Sequence, residues 1–376
     1  MSERTRRIRF AKLMTTVCRI LLGSVFVFSG IVKAIDPVGT QIKFTDYLLA
    51  FGWDGLFMDS TLLMFAALLA GVEFLLGIYI LMGVFTKGTT RLLFLMMIVL
   101  TPFTLYTALK NPVEDCGCFG DALVLTNWQT FEKNIFLFVM SVYLLFRRRY
   151  IYPLVSERRQ WLVTVVTVLL LTRFTLNNIN GLPVLDFRQY KVGTDLRTEI
   201  YEKANPEMAD FFILDNDFND VTPMILEDEG YTFLLVSDHL ERADESHLDM
   251  VDDLYDYCKK YGYGFMGVTA SGGGVVDEWI ENNGAEYSFF YSDEIPLQTM
   301  VRANPGLVLI KDGVIINKWS AHRMPSEVYL DVPLENSFLG IQPVKHKGLT
   351  ILSIIMLFGL PLLLIVLIDK LKNKVS

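Results

Sequence analysis

Leu21-Leu22-Gly23-Ser24-Val25-Phe26-Val27-Phe28-Ser29-Gly30-Ile31-Val32-Lys33-Ala34-Ile35-Asp36-Pro37 decides the fold. It completes an apolar run that starts behind the basic arm of residues 1–12 and is long enough to cross a bilayer. Gly23, Ser24, Ser29 and Gly30 are small residues of the kind that let helices approach closely in lipid. Lys33, Asp36 and Pro37 end the run. No small-residue cleavage site follows the apolar core, so the segment reads as a retained first span over about residues 13–35.

Five more apolar segments lie downstream, over about residues 61–85, 92–109, 131–146, 161–176 and 349–368. Pro102 falls within the third span, where membrane helices tolerate a kink. The basic clusters choose the sides. Residues 86–91, the run Arg147-Arg148-Arg149 with Arg158 and Arg159, and the tail 369–374 all read as cytoplasmic. Six spans with both termini in the cytoplasm satisfy every cluster. Residues 36–60 and 110–130 then lie outside. The stretch 44–53 is mildly amphipathic and is expected to form a helix in the interface.

Composition agrees with a membrane protein. The 376 residues are 52% hydrophobic and only 20% charged. The net charge of −8 conceals an asymmetry. Residues 178–347 hold 13 Lys and Arg against 30 Asp and Glu, and the remainder holds 21 against 12. An acidic globule between basic membrane flanks fits a soluble mass outside the cytoplasm. It argues against nucleic acid as a partner, since phosphates would be repelled. The expected location is the bacterial inner membrane, multi-pass, with residues 178–344 periplasmic and the lipid bilayer as one partner.

The acidic segment has its own pattern. Phe211–Leu214, Tyr231–Val236, Phe265–Thr269 and Phe289–Tyr291 read as strands, and residues 245–261, 274–283 and 296–302 as helices. Asp312-Gly313 between Gly306–Lys311 and Val314–Trp319 is a strong hairpin signal. The alternation predicts a small α/β sheet.

Chemistry concentrates in Asp115-Cys116-Gly117-Cys118-Phe119-Gly120. A Cys-X-Cys disulfide closes a very small ring, so its geometry is unrelaxed and it favours exchange over stapling. Gly117 allows the dihedrals this requires. Three alternatives stand beside redox activity: passive thiols in a tight turn, bridges to Cys18 or Cys258, and two soft metal ligands. No His lies near the pair. His239, His247, His322 and His346 all fall in the acidic segment, so no metal is expected. Cys18 and Cys258 sit at helical packing positions. Glu73 is a carboxylate inside the second span. It is expected to face the bundle and to pair with Lys33 or Arg19, or to bind a polar ligand or carry a proton. Arg173, near the outer end of the fifth span, reads as a snorkelling side chain.

Two resemblances follow from these residues. The segment Arg302-Ala303-Asn304-Pro305-Gly306-Leu307-Val308-Leu309-Ile310, with the Asp312-Gly313 hairpin, resembles the C-terminal half of a thioredoxin-like domain. That resemblance implies a cis-proline at Pro305. It also implies a Cys-X-X-Cys after the strand 232–236, where this chain has Ser237-Asp238-His239-Leu240-Glu241-Arg242. The domain therefore cannot exchange dithiols by itself, and His239 reads as a solvated loop residue.

The stretch 21–37 looks like the first helix of DoxX-type proteins. Glu73-Phe74-Leu75-Leu76-Gly77 and Cys116-Gly117-Cys118-Phe119-Gly120 look like the methylamine-utilisation protein MauE, and the likeness covers about residues 13–147. The combined architecture looks like DoxX/MauE-type proteins of Bacteroidota. The resemblance implies a four-helix membrane bundle, related in shape to the vitamin K epoxide reductase type, and a role in periplasmic thiol redox or partner maturation.

The expected fold class is an α-helical membrane bundle, a four-helix core plus two further spans, carrying an extracytoplasmic α/β thioredoxin-like domain. Its parts are residues 1–150, a fifth span in 151–180, the acidic domain 181–344, and a last span with its tail in 345–376. The expected activity is that of a thiol–disulfide oxidoreductase or maturation factor acting on periplasmic partners. Cys116 and Cys118 would be catalytic, and a quinone or a periplasmic protein would be the electron partner. A non-catalytic scaffold for an envelope complex is the alternative. A carrier using Glu73 is a third reading, weakened because the six spans show no evident inverted repeat.

Overall fold

The computed structural model describes residues 3–53, 55–113, 115–201, 208, 211–344 and 346–375. Met1 and Ser2 of the expected basic arm, and Lys345 at the expected start of the last segment, lie outside the described residues. In chain order the elements are α1 (Glu3–Ile35), α2 (Pro37–Ala50), α3 (Asp59–Met82), α4 (Thr86–Lys110), α5 (Asn127–Arg147), α6 (Gln160–Asn180), α7 (Leu196–Tyr201) and α8 (Thr222–Leu226). Then follow β1 (Tyr231–Ser237), α9 (Leu248–Tyr261), β2 (Gly264–Thr269), α10 (Gly273–Asn283), β3 (Phe289–Tyr291), α11 (Glu294–Met300), β4 (Gly306–Lys311), β5 (Val314–Ser320) and α12 (Lys347–Val375). The chain divides into two compact units, residues 1–179 with 347–376, and residues 180–346.

The first unit is helical. Among the described residues, five helices are long and apolar enough to cross a membrane: α1, α3, α4, the helix that ends at Asn180, and α12. This makes the chain a multi-pass membrane protein. The sixth expected span, α5, is not among them, since it does not reach that level of hydropathy. The cause lies in its first two turns, where Gln129, Glu132, Lys133 and Asn134 dilute an otherwise apolar helix. Even so, α5 packs along α4 and α1. Asn134 Nδ2 donates to Thr104 Oγ1 of α4 at 3.1 Å, and Tyr143 OH donates to the Ala11 carbonyl of α1 at 3.3 Å.

The centre of the bundle is the contact between α1 and α3. A Cβ at Gly30 would stand 2.4 Å from the Phe74 backbone nitrogen, and one at Gly77 would stand 2.6 Å from that of Val27. Glycine lets the two backbones touch, as the small-residue pattern in α1 predicted. Valine at position 30 cannot be absorbed by a side-chain shift, because the obstacle is main chain. Gly30→Val is therefore expected to destabilise the unit by about 3 kcal/mol. An unchanged melting temperature in detergent would refute this. Phe358 of α12 packs on Phe74 of α3 and Phe174 of α6, with ring centroids 4.8 and 5.8 Å away. Near the other end of α12, buried Asp369 accepts from Ser156 N and Oγ and pairs with Arg159 at 2.9 Å.

Asp36 and Pro37 interrupt the helical path after α1. Asp36 Oδ1 accepts from Gly39 N at 2.8 Å, and Pro37 occupies the first turn of α2. The amphipathic stretch expected at 44–53 thus belongs to a helix that starts earlier and packs against α3.

The second unit is a five-stranded sheet in the order β3-β2-β1-β4-β5. β1 pairs in parallel with β2, and β2 with β3. β4 runs antiparallel to both β1 and β5. Apolar clusters cover both faces. One joins Phe233 and Leu307 to Leu254 and Trp279 of α9 and α10. The other joins Leu234 and Val308 to Leu196, Ile225 and Leu297 of α7, α8 and α11. The hairpin forms as predicted: Asp312 and Gly313 have φ of 50° and 70°, both positive as a two-residue turn of this hand requires. Phe211–Leu214 is not a strand, contrary to expectation. Only Leu214 pairs, through isolated bridges to Asp220 and Tyr291. Phe211 and Ile213 are buried, so the apolar run serves the core without extending the sheet.

Candidate functional site

The loop between α4 and α5 carries Cys116 and Cys118. Its ends are stapled by Asn127, whose Nδ2 donates to Asn111 Oδ1 at 2.7 Å and to the Val113 carbonyl at 2.8 Å. Thr126 and Gln129 form a capping box that starts α5. Asp115 shapes the turn. Its Oδ1 accepts from Gly117 N at 2.7 Å, its Oδ2 pairs with Lys43 of α2 at 2.9 Å, and Gly117 takes φ +65°.

The loop dips into the bundle. The Cys118 carbonyl accepts from Ser29 Oγ at 2.8 Å and from Lys33 Nζ at 2.7 Å. Ser29 lies six residues before the end of α1, about 9 Å along the helix axis. Phe119 is buried, with the Phe28 ring 5.2 Å away and Lys133 Nζ of α5 4.1 Å from its ring centroid. Lys33 Nζ also donates to Ser29 Oγ at 2.7 Å and pairs with Glu73 Oε2 at 2.8 Å. The ammonium thus spends its three donors on a serine, a carboxylate and the backbone of a cysteine.

Of the two partners expected for Glu73, Lys33 is the one found. Arg19 instead donates to the carbonyls of Leu81 and, at 2.8 Å, Tyr152. Cys116, Cys118, Lys33 and Glu73 therefore meet in one place from three separate segments of the sequence. Pro305 belongs to the other compact unit. Ser29, Lys43, Tyr47, Phe119 and Lys133 were missed. Of these, Lys133 left a signal, a cation in the first turns of an apolar helix.

The two Sγ atoms are 3.0 Å apart, and both cysteines are thiols, partly buried. The thiols are not equivalent. Cys118 is held low, to about 6, chiefly because Cys116 donates its S–H to it. Burial opposes this, and the nearby Lys133 and Lys33 ammoniums assist it. Cys116 is pushed well above the usual thiol range, since its proton is engaged with Cys118 and burial adds to the effect. Tyr47 OH of α2 donates to the Cys116 carbonyl at 3.4 Å. Both cysteines open onto a cavity of about 350 Å³ inside the helical unit.

In the second unit, the peptide bond before Pro305 is cis. The loop after β1 lies beside it. Ser237 Oγ donates to Asn304 Oδ1 at 2.6 Å, and Asn304 Nδ2 donates to the His239 carbonyl at 2.7 Å. The imidazole of His239 sits between Glu241 and Glu294, 3.4 and 3.2 Å away. Cys258 is buried within the apolar cluster of α9 and is kept in its thiol form by burial, its titration pushed up to about 12.

Residues 11–147 match the family model described as methylamine utilisation protein MauE. The matched stretch runs from α1 to the end of α5 and contains Ser29, Lys33, Glu73, Cys116, Cys118 and Lys133. No match to a curated protein was found. No match to a solved structure was found either.

Proposed function

We propose that Cys116 and Cys118 form a dithiol–disulfide pair that exchanges with cysteines of client proteins outside the cytoplasmic membrane, and that the protein acts in client maturation. The observation that carries this reading is the 3.0 Å separation of two free thiols on one loop, both facing a cavity of the helical unit. The name of the matched family links this reading to methylamine utilisation. The loop and its cavity support an enzyme over a passive turn, since four buried polar contacts hold the Cys118 backbone and its anchor.

The second unit, in this proposal, is a thioredoxin-like domain that holds the client. A four-strand core in which only β4 is antiparallel, and a cis Pro305 opening that strand, both support it. Ser237–Arg242 contains no cysteine, so exchange is left to Cys116 and Cys118. The proposed topology puts both termini in the cytoplasm and residues 178–344 in the periplasm, and it requires α5 to cross. Its length of 21 residues, about 31 Å, and its packing on two spanning helices support that crossing.

The test is thiol counting on purified full-length protein. After mild reduction, two maleimides should add at Cys116 and Cys118. After glutathione disulfide, neither should add, and mass should show an internal disulfide. A pair that glutathione disulfide or diamide leaves as free thiols would defeat the proposal. The missing cysteines of the second unit favour a rival, a scaffold for an envelope complex. That rival predicts a silent Cys116→Ser/Cys118→Ser double variant and a damaging deletion of residues 185–340.

A further inference from the structure

The last stretch of the second unit turns apolar side chains to solvent from a backbone that is held in place. Leu330, Leu334 and Leu339 are buried in the apolar cluster that β1 and α9 share. Four tyrosines hold the main chain of the same stretch. Tyr257 OH donates to the Val332 carbonyl at 2.7 Å, Tyr261 OH to that of Asp331 at 2.9 Å, and Tyr231 OH to that of Gly340 at 3.2 Å. Leu334 N donates to Tyr263 OH at 2.8 Å. A backbone fixed in this way cannot fold its outer side chains inward. Phe338, Ile341 and Val344 are 60%, 62% and 81% exposed, and the exposed Tyr329 ring meets that of Phe338 edge-on at 5.2 Å. Single exposed apolar residues are ordinary, but a run of them on a fixed backbone marks an interaction surface.

Chain continuity and charge say what covers this run. Val344 stands three residues ahead of Lys347, where α12 begins, so even fully extended chain keeps it within about 11 Å of that span. The unit is tethered near both ends of β5. At one, Ser320 Oγ donates at 2.9 Å to the carbonyl of Asn180, the last residue of α6. At the other, the Gln342 side chain lies against Gly193, whose N–H donates to the Ile315 carbonyl at 2.7 Å. Residues 336–347 hold no Asp or Glu, in an otherwise acidic segment, and they end in Lys345-His346-Lys347. We propose that Phe338, Ile341 and Val344 insert into the interfacial layer of the bilayer that α12 enters, and so hold the second unit on the membrane surface. The apolar side chains gain burial at the boundary of headgroups and acyl chains. Tyr329 can bury its ring while keeping its hydroxyl among the headgroups. The cationic run meets lipid phosphates, and the missing carboxylates spare the contact a charge repulsion. The inference is independent of thiol exchange.

The experiment uses full-length protein carrying Cys116→Ser/Cys118→Ser, in nanodiscs of phosphatidylcholine and phosphatidylglycerol. Cys18 and Cys258 are buried, so an environment-sensitive NBD dye can be placed at Phe338→Cys or at Ile341→Cys alone. The expected result is quenching of the dye at both positions by doxyl groups on the lipid chains, and loss of quenching by iodide in the water. Adding Ile341→Asp/Val344→Asp to the Phe338→Cys protein should return its dye to iodide. Both of those side chains are exposed, so the fold does not depend on them. A dye that iodide reaches and the doxyl lipid does not, at either position, overturns the inference. Protection from both quenchers would mean cover by protein, a client or a second copy of the chain, and overturns it as well. A dye that stays in the lipid despite the two aspartates would be inserting by itself, and removes the assignment to these side chains.

Discussion

Cys118→Ser should abolish mixed-disulfide formation, whereas Cys116→Ser should accumulate it. The attacking group in thiol–disulfide exchange is a thiolate. Cys118 is the thiol kept ionised, by the Cys116 S–H donor and by Lys133 and Lys33, against the cost of burial. Cys116→Ser keeps an O–H donor beside Cys118 and removes the resolving thiol, so a client should remain attached. Non-reducing electrophoresis with mass identification of the adduct reads both results. The pH dependence follows with a definite sign. A thiol whose titration is lowered to about 6 reacts fully above that pH and loses reactivity as pH falls through it. A free thiol titrates near about 8.5, so at pH 6 Cys118 holds about a hundredfold more thiolate. Lower basicity makes each thiolate about tenfold less nucleophilic, leaving a net advantage of about tenfold. Alkylation of Cys118 by iodoacetamide should therefore have its midpoint near 6 and exceed that of the thiol left in Cys118→Ser. Faster alkylation at Cys116 than at Cys118 in the unmodified protein would overturn the assignment.

How much of this could be read in the sequence depended on how local each signal was. Spans α1, α3 and α4 follow from uninterrupted apolar length, and the β4–β5 hairpin from two adjacent turn residues that both take positive φ. Residues 131–146 read as a span, but Lys133 and Asn134 of α5 line the cavity of the site, and with Glu132 they hold the helix below the hydropathy of the other five. Phe211–Leu214 had strand composition, but pairing is a tertiary property, and only Leu214 found partners. Cys116 and Cys118 stood out by spacing alone. That their loop enters the bundle did not, because it depends on the carbonyl of Cys118 meeting Ser29 and Lys33, some ninety residues earlier in the chain. A main-chain acceptor leaves no trace in composition. The same holds for the choice between Lys33 and Arg19. Both face inward from α1, and the carbonyls of Leu81 and Tyr152 claim Arg19.

Lys33→Met should destabilise the helical unit by about 3–5 kcal/mol, because it strands the Glu73 carboxylate in a nearly dry interior. Both side chains are more than nine-tenths buried, so solvent cannot take over from the lost partner. Glu73→Gln keeps an acceptor for Lys33 but removes its counter-charge, and should cost less than Lys33→Met. Lys33→Met/Glu73→Leu removes both charges together, and replacement of a buried pair by apolar groups is often neutral. That double variant should recover most of the lost stability in thermal unfolding. It should not recover the thiols. Lys33 anchors the Cys118 carbonyl and lowers the Cys118 titration more than Glu73 raises it. Without the pair, the midpoint of Cys118 alkylation should move above 6, with the protein folded. Stability and reactivity would then part, which a purely structural ion pair does not allow. A double variant with native melting temperature and an unmoved alkylation midpoint would show that Lys33 only offsets the charge of Glu73 and does not position the cysteine loop.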